Sequence, residues 1–127
     1  MTHPAGTIPA IDVTEAAARL HDNRGDLPAD AAPVLVDVRE PNELVDARVA
    51  GAAHFPMSTF ALRFNELPKD RPILVMCASG GRSAAVTAFL MRNGWTDVLN
   101  VDGGITAWRR AGLPVRHGPV EPGEGGL

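Results

Sequence analysis

Only one cysteine, Cys77, occurs in the 127 residues. A lone thiol closes no internal disulfide, so no disulfide framework holds this chain, and a reducing compartment is its natural setting. The opening residues MTHPAGTIPAID have neither a charged start nor an apolar stretch, so they do not read as a secretory signal peptide. No apolar run approaches the roughly 20 residues that span a bilayer. Together these absences lead to the expectation of a soluble, cytoplasmic protein with no membrane partner. Basic clusters are missing too: the net charge is −3, and the pair Arg109-Arg110 is too short for a polybasic patch. A nucleic-acid partner is therefore not expected. The four histidines, His3, His21, His54 and His117, are scattered and share no metal-ligand spacing with Cys77. No dinucleotide-type or Walker-type glycine pattern is present.

What is present suits one soluble domain. The chain is 45% hydrophobic and 21% charged, enough to bury a core. The domain is expected over residues 8–115, between a flexible N-terminal tail, 1–7, and a Gly/Pro-rich C-terminal tail, 116–127, that lacks any hydrophobic pattern. Within it, short apolar runs alternate with helical patterns. Strands are expected around 11–13, 34–38, 52–55, 73–76 and 97–101. Between them lie helices at 14–22 capped by Thr14, from Pro41 to about Asp46, at 58–67 capped by Ser58, at 83–93 capped by Ser83 and ended by Gly94, and at 105–111. A polar, Pro-containing loop is expected at 24–33. Trp108 reads as core, and His54 as a residue packed beside Pro56. Strands that are apolar on both faces and alternate with helices imply a parallel sheet covered on both sides. In such sheets ligands bind at the carboxyl ends of the strands.

Cys77 lies at such an end. It closes the run Ile73-Leu74-Val75-Met76 and is followed by Ala78, Ser79, Gly80, Gly81, Arg82 and Ser83, with a helix leaving at the last of these. The glycines let the backbone curl so that several N–H groups point inward as an anion nest. The helix start adds partial positive charge and Arg82 a full one. A cysteine in such surroundings ionises more easily than free thiol. Cys77 therefore reads as a nucleophilic thiolate rather than as a small apolar filler, and residues 78–83 as its substrate-binding loop. Arg82 either orients an anionic substrate or ties the loop by an ion pair. Asp37 and Arg39 end a central strand; they either rim the pocket or form a structural ion pair.

The segment Cys77-Ala78-Ser79-Gly80-Gly81-Arg82-Ser83 resembles the C-x-x-G-x-R-S active loop of rhodanese-type sulfurtransferases. Further segments extend the likeness: Asp37-Val38-Arg39-Glu40-Pro41-Asn42-Glu43, Gly51-Ala52-Ala53-His54-Phe55-Pro56, and Asp102-Gly103-Gly104-Ile105-Thr106-Ala107-Trp108, with the ending Ala111-Gly112-Leu113-Pro114-Val115. The resemblance implies a five-stranded, mainly parallel α/β sheet with helices on both faces. It also implies that Cys77 takes the outer sulfur of thiosulfate or a similar donor as a persulfide and passes it to cyanide, a thiol or a protein cysteine, without metal or organic cofactor. The other reading is a rhodanese-like sulfur-carrier or interaction module with little small-molecule turnover. Related phosphatases use C-x5-R; here four residues separate Cys77 from Arg82, and the tighter cradle suits one sulfur atom better than a phosphate. One departure stands out. Where the family usually has Gly-His-Ile, this chain has Ala47-Arg48-Val49.

Overall fold

A computed structural model describes residues 7–22 and 32–127. The expected N-terminal tail, apart from its last residue, and most of the expected loop at 24–33 lie outside the described residues. The elements are β1 (Ala10–Ile11), α1 (Val13–Asp22), β2 (Val34–Asp37), α2 (Pro41–Asp46), β3 (Ala53–His54), α3 (Met57–Arg63), β4 (Ile73–Met76), α4 (Gly81–Arg92), β5 (Val98–Val101) and α5 (Gly104–Arg110). A single 3-10 turn, Phe64–Glu66, extends α3. The strands form one sheet in the order β1-β5-β4-β2-β3. Every named pairing is parallel, with Val36 beside Val75 and Val75 beside Asn100. The parallel pairing is what the alternation of apolar runs implies, and the five strands are what the family resemblance implies.

The sheet divides the core in two, following the two-residue side-chain period of a strand. Val34, Val36, Ile73, Val75 and Val98 face one cluster, completed by Phe60 of α3 and Val86 and Leu90 of α4. Leu35, Leu74, Met76 and Val101 face the other, completed by Ala16 of α1 and Ile105 and Trp108 of α5. β2 and β4 are buried along their whole length, which is why they read as continuous apolar runs. Aromatic residues make up only 5% of the chain, yet all four phenylalanines, Phe55, Phe60, Phe64 and Phe89, join Trp95 in one cluster on the first face. The Phe64 and Phe89 rings meet edge-on at 4.8 Å, a geometry that contributes about 1 kcal/mol beyond area burial.

Helix starts differ from the expected ones in an informative way. The Asp12 side chain accepts the Glu15 N–H at 2.8 Å, so it caps α1 in place of Thr14. Ser58 lies inside α3 and turns its hydroxyl to Glu40. α4 begins at Gly81 after Gly80, whose φ of +108° is open to glycine and strained for other residues. Ser83 is thus inside the helix, and its hydroxyl is free for another use.

The C-terminal residues, expected as a mobile tail, are bonded to the domain at many points. Arg116 pairs with Arg48 through backbone hydrogen bonds in both directions, at 2.9 and 2.7 Å. Arg48, only 6% exposed, sends its guanidinium to the Glu124 carboxylate and to the carbonyls of Leu44, Gly118 and Pro119. The Gly118 N–H donates to Val45 O, and the His54 N–H to Gly125 O. Arg48 holds Glu124 well below the usual carboxylate range, at about 2. The Ala47-Arg48 departure therefore has a structural consequence: the arginine anchors residues 118–124. Ala47 itself is extended, at φ −164°, so no glycine is needed there.

Candidate active site

β4 is the central strand, and α2 and α4, which follow β2 and β4, leave toward opposite faces. Ala47 at the end of α2 packs into the second cluster, while Val86 and Leu90 of α4 pack into the first. The carboxyl ends of β2 and β4 thus border a topological switch point, where open parallel sheets place their ligands. Cys77 stands at its edge.

The loop is held from outside so that its amides can turn inward. The Ile105 and Thr106 N–H groups, in the first turn of α5, donate to the carbonyls of Cys77 and Ala78 at 2.9 and 3.1 Å. That approach needs glycine at 104: a Cβ there would overlap the Cys77 carbonyl oxygen and the Ala78 carbonyl. Asn100 of β5 fixes the other end, its Nδ2 donating to Gly80 O at 3.2 Å. With its carbonyls engaged, the loop points the Gly80 N–H at Cys77 Sγ, 3.1 Å away. The Ser83 hydroxyl also lies 3.3 Å from the sulfur and bonds Asn100 Oδ1 on its other side. Burial pushes the Cys77 thiol up, but the Ser83 hydroxyl and the N–H groups of Ser83, Gly80 and Ser79 more than offset it. The net pKa falls below the ordinary thiol value. The arrangement can hold a thiolate, or an anion covalently extending from it, in a cradle of N–H and O–H donors.

The other expected site residues fall into two groups. Of the loop residues, Ser79, Gly80 and Ser83 turn donors toward the sulfur, while Ala78 packs against the second core cluster and Gly81 is exposed at the start of α4. Arg82 is ion-paired. Its Nη1 and Nη2 meet both oxygens of Glu43 at 2.7 and 2.8 Å, in a bidentate bond from α4 to α2 across the switch point. The bond holds Glu43 at about 2 and pushes the Arg82 pKa up. Asp37 and Arg39 lie below the surface, 1% and 3% exposed, and do not rim the loop. Arg39 Nη2 reaches Asp37 at 2.8 Å and the Ala47 carbonyl at 2.7 Å, tying β2 to the end of α2. Removing one partner of such a buried pair costs about 3–5 kcal/mol. Asp37 does line a cavity of about 240 Å³, but this one lies under the C-terminal segment, with Arg48, His54 and Glu124.

Two residues of the site are given no role there by sequence reasoning. Asn100 is a buried amide in the otherwise apolar run Val98-Leu99-Asn100-Val101; a polar residue facing inward from a central strand was the available signal. Glu43 had a signal as well, as the acidic third residue of α2, where its side chain accepts the Glu40 N–H at 3.0 Å. Nothing in its sequence position gave its pairing with Arg82. Among the described residues, no three His, Cys, Asp or Glu side chains gather as they would for a metal ion, and no helix is long and apolar enough to cross a membrane.

Comparison with known proteins agrees with this architecture. The model of the rhodanese-like domain family matches residues 12–111. A sulfurtransferase of Allochromatium vinosum is 44% identical over 82 residues, 65% of this chain and 77% of that protein. The thiosulfate sulfurtransferase GlpE of Vibrio cholerae is 36% identical over 81 residues, 64% of this chain and 76% of that protein. Among solved structures, a rhodanese-related protein from Thermoplasma volcanium superposes with a TM-score of 0.71 at 32% identity, covering 85% of this chain and 97% of that one. With a family match running from ahead of α1 through the end of α5, around a cysteine cradled at the end of the central strand, the chain belongs to the rhodanese-like family.

Proposed function

We propose that this protein is a sulfurtransferase that carries sulfane sulfur on Cys77. The observation that carries the reading is the contact of Cys77 Sγ with the Gly80 N–H and the Ser83 hydroxyl, inside a loop whose carbonyls are engaged elsewhere. The Cys77 thiolate attacks the outer sulfur of thiosulfate or a comparable sulfane donor. The S–S bond of the donor breaks, sulfite (from thiosulfate) or the donor thiolate (from a thiol persulfide) leaves with the electron pair, and Cys77 becomes a persulfide. A thiophilic acceptor, such as cyanide, a small thiol or a protein cysteine, then attacks the terminal sulfur, and the Cys77 thiolate is restored. This is double-displacement covalent catalysis, and a thiol already ionised needs no general base. The donors that lower the thiol pKa would also stabilise the persulfide anion. No step calls for a metal or organic cofactor, and the net charge of −3 does not favour a nucleic-acid partner. Sulfurtransferase relatives in two bacteria support the reading.

Incubation with thiosulfate should add the mass of one sulfur atom to the intact protein, and cyanide should remove it as thiocyanate. Cys77→Ser should do neither. Absence of the adduct on the wild-type protein with thiosulfate and with a thiol persulfide would refute the proposal.

A further inference from the structure

The loop from Cys77 to Ser83 contains one fixed charge, Arg82, and the structure commits that charge. Both terminal nitrogens of the guanidinium face Glu43. Glu43 is itself held in place: Oε1 also accepts the Glu40 N–H at 3.0 Å, and its backbone carbonyl accepts from Arg39 Nη1 at 3.3 Å. The nearby Asp37–Arg39 pair is likewise internally balanced. With both ion pairs closed, and with the neighbouring Glu40 carboxylate bonded to the neutral Ser58, the charge that the thiolate adds to the site is negative and finds no free cation in its loop. Thiosulfate, a dianion, meets repulsion there, whereas a thiol persulfide brings at most one negative charge to its sulfane sulfur. We infer that Glu43, by neutralising Arg82 across the switch point, is a specificity-determining residue that favours thiol persulfides over thiosulfate as sulfur donors.

The inference rests on the sulfur-transfer reading above and names the donor class within it. Glu43→Gln is the informative variant. It keeps an oxygen for the Glu40 N–H and for one Arg82 N–H, and glutamine serves the same helix-start position. It removes the charge and the second acceptor oxygen, the one that faces Arg82 Nη2. The rate of Cys77 persulfide formation, followed by intact mass in single turnover, reads the donor step without the acceptor. With thiosulfate at low salt, Glu43→Gln should react about tenfold faster, the scale of one freed cation acting on a dianion a few ångströms away. With the persulfide of 2-mercaptoethanol, which carries half that charge, the gain should be about threefold. Wild type supplies a second measurement. Its thiosulfate rate should rise with added salt, because screening relieves repulsion between like charges. The inference is overturned if Glu43→Gln reacts no faster with thiosulfate, if it accelerates both donors equally, or if the wild-type thiosulfate rate falls with salt. Absence of persulfide on the wild type with either donor would instead overturn the sulfur-transfer reading, and this inference with it.

Discussion

Ser83→Ala should raise the pKa of Cys77 by about one unit, and the size follows from a single proton. The Ser83 hydroxyl has one hydrogen and two neighbours that could take it, Cys77 Sγ and Asn100 Oδ1. When Cys77 is a thiol, its S–H can donate to the hydroxyl oxygen while the hydroxyl donates to Asn100. When Cys77 is a thiolate, the hydroxyl must turn to the sulfur, and the bond to Asn100 is given up. A hydrogen bond to a charged group contributes about 1.5–3 kcal/mol and a neutral one about 0.5–1.5 kcal/mol, so the thiolate gains roughly 1 kcal/mol from the exchange. At about 1.4 kcal/mol per pKa unit, the loss comes to somewhat under one unit. Ser83→Thr, which keeps the hydroxyl, should restore most of it. The chain is suited to a direct titration: it has one cysteine and no tyrosine, so the ultraviolet absorbance of the thiolate has no phenolate background. The sign can be checked independently in the reaction. Below the wild-type pKa the variant should form persulfide more slowly by up to about tenfold, and the two rates should converge above the variant pKa, where both thiols are ionised. An unchanged or lowered pKa in Ser83→Ala would mean that the backbone amides alone set the ionisation, and the proton-exchange argument would fall.

Three further outcomes follow from the same geometry. Asn100→Ala removes the acceptor that competes for the Ser83 hydroxyl, so the Cys77 pKa should move down, opposite to Ser83→Ala; the Gly80 carbonyl loses one of its two partners and keeps the Ala84 N–H, which should cost about 0.5–1.5 kcal/mol in urea denaturation. Gly104→Ala forces a side chain against the Cys77 and Ala78 carbonyls at a backbone φ of +57°, and should lower stability by about 2 kcal/mol or more while raising the Cys77 pKa. Full stability in that variant would contradict the close packing of α5 on the loop. Arg48→Ala should speed hydrogen exchange at the Gly118 and His54 amides and leave β4 protected, because the arginine holds the C-terminal segment and not the sheet. Equal loss of protection in β4 would show that the segment is part of the global folding unit.

The layered sheet was legible because its signal is local. Val34–Asp37 and Ile73–Met76 are buried on both faces, and such strands read as near-continuous apolar runs, broken here only by the ion-paired Asp37 at the end of β2. The cysteine loop was legible for a related reason: glycine between a strand and a helix permits the left-handed turn, found at Gly80, that other residues resist. What escaped depends on partners far apart in the chain. The Arg48–Glu124 pair spans 76 positions, and nothing local in a Gly/Pro-rich terminus announces an anchoring carboxylate. The Glu43–Arg82 pair spans 39 and turns the apparent free cation of the loop into half of an ion pair. Ser83 was misplaced as a cap because its type suits that role; Gly80, left-handed, starts the helix unaided and leaves the hydroxyl to the sulfur.

The contact between Gly125 and His54 bears on how copies of this protein meet. β3 is an outer strand, and its alternate N–H groups face away from the sheet, where an extended segment of another molecule could add itself. In this chain the His54 N–H is already taken by its own C-terminus. The glycine-rich ending thus occupies an N–H of that edge to which an added strand would otherwise bond. A shortened chain, or one whose end is pulled outward by a bulky fusion, would carry an unguarded edge, so solubility in such variants should be governed by residues 116–127 rather than by the core.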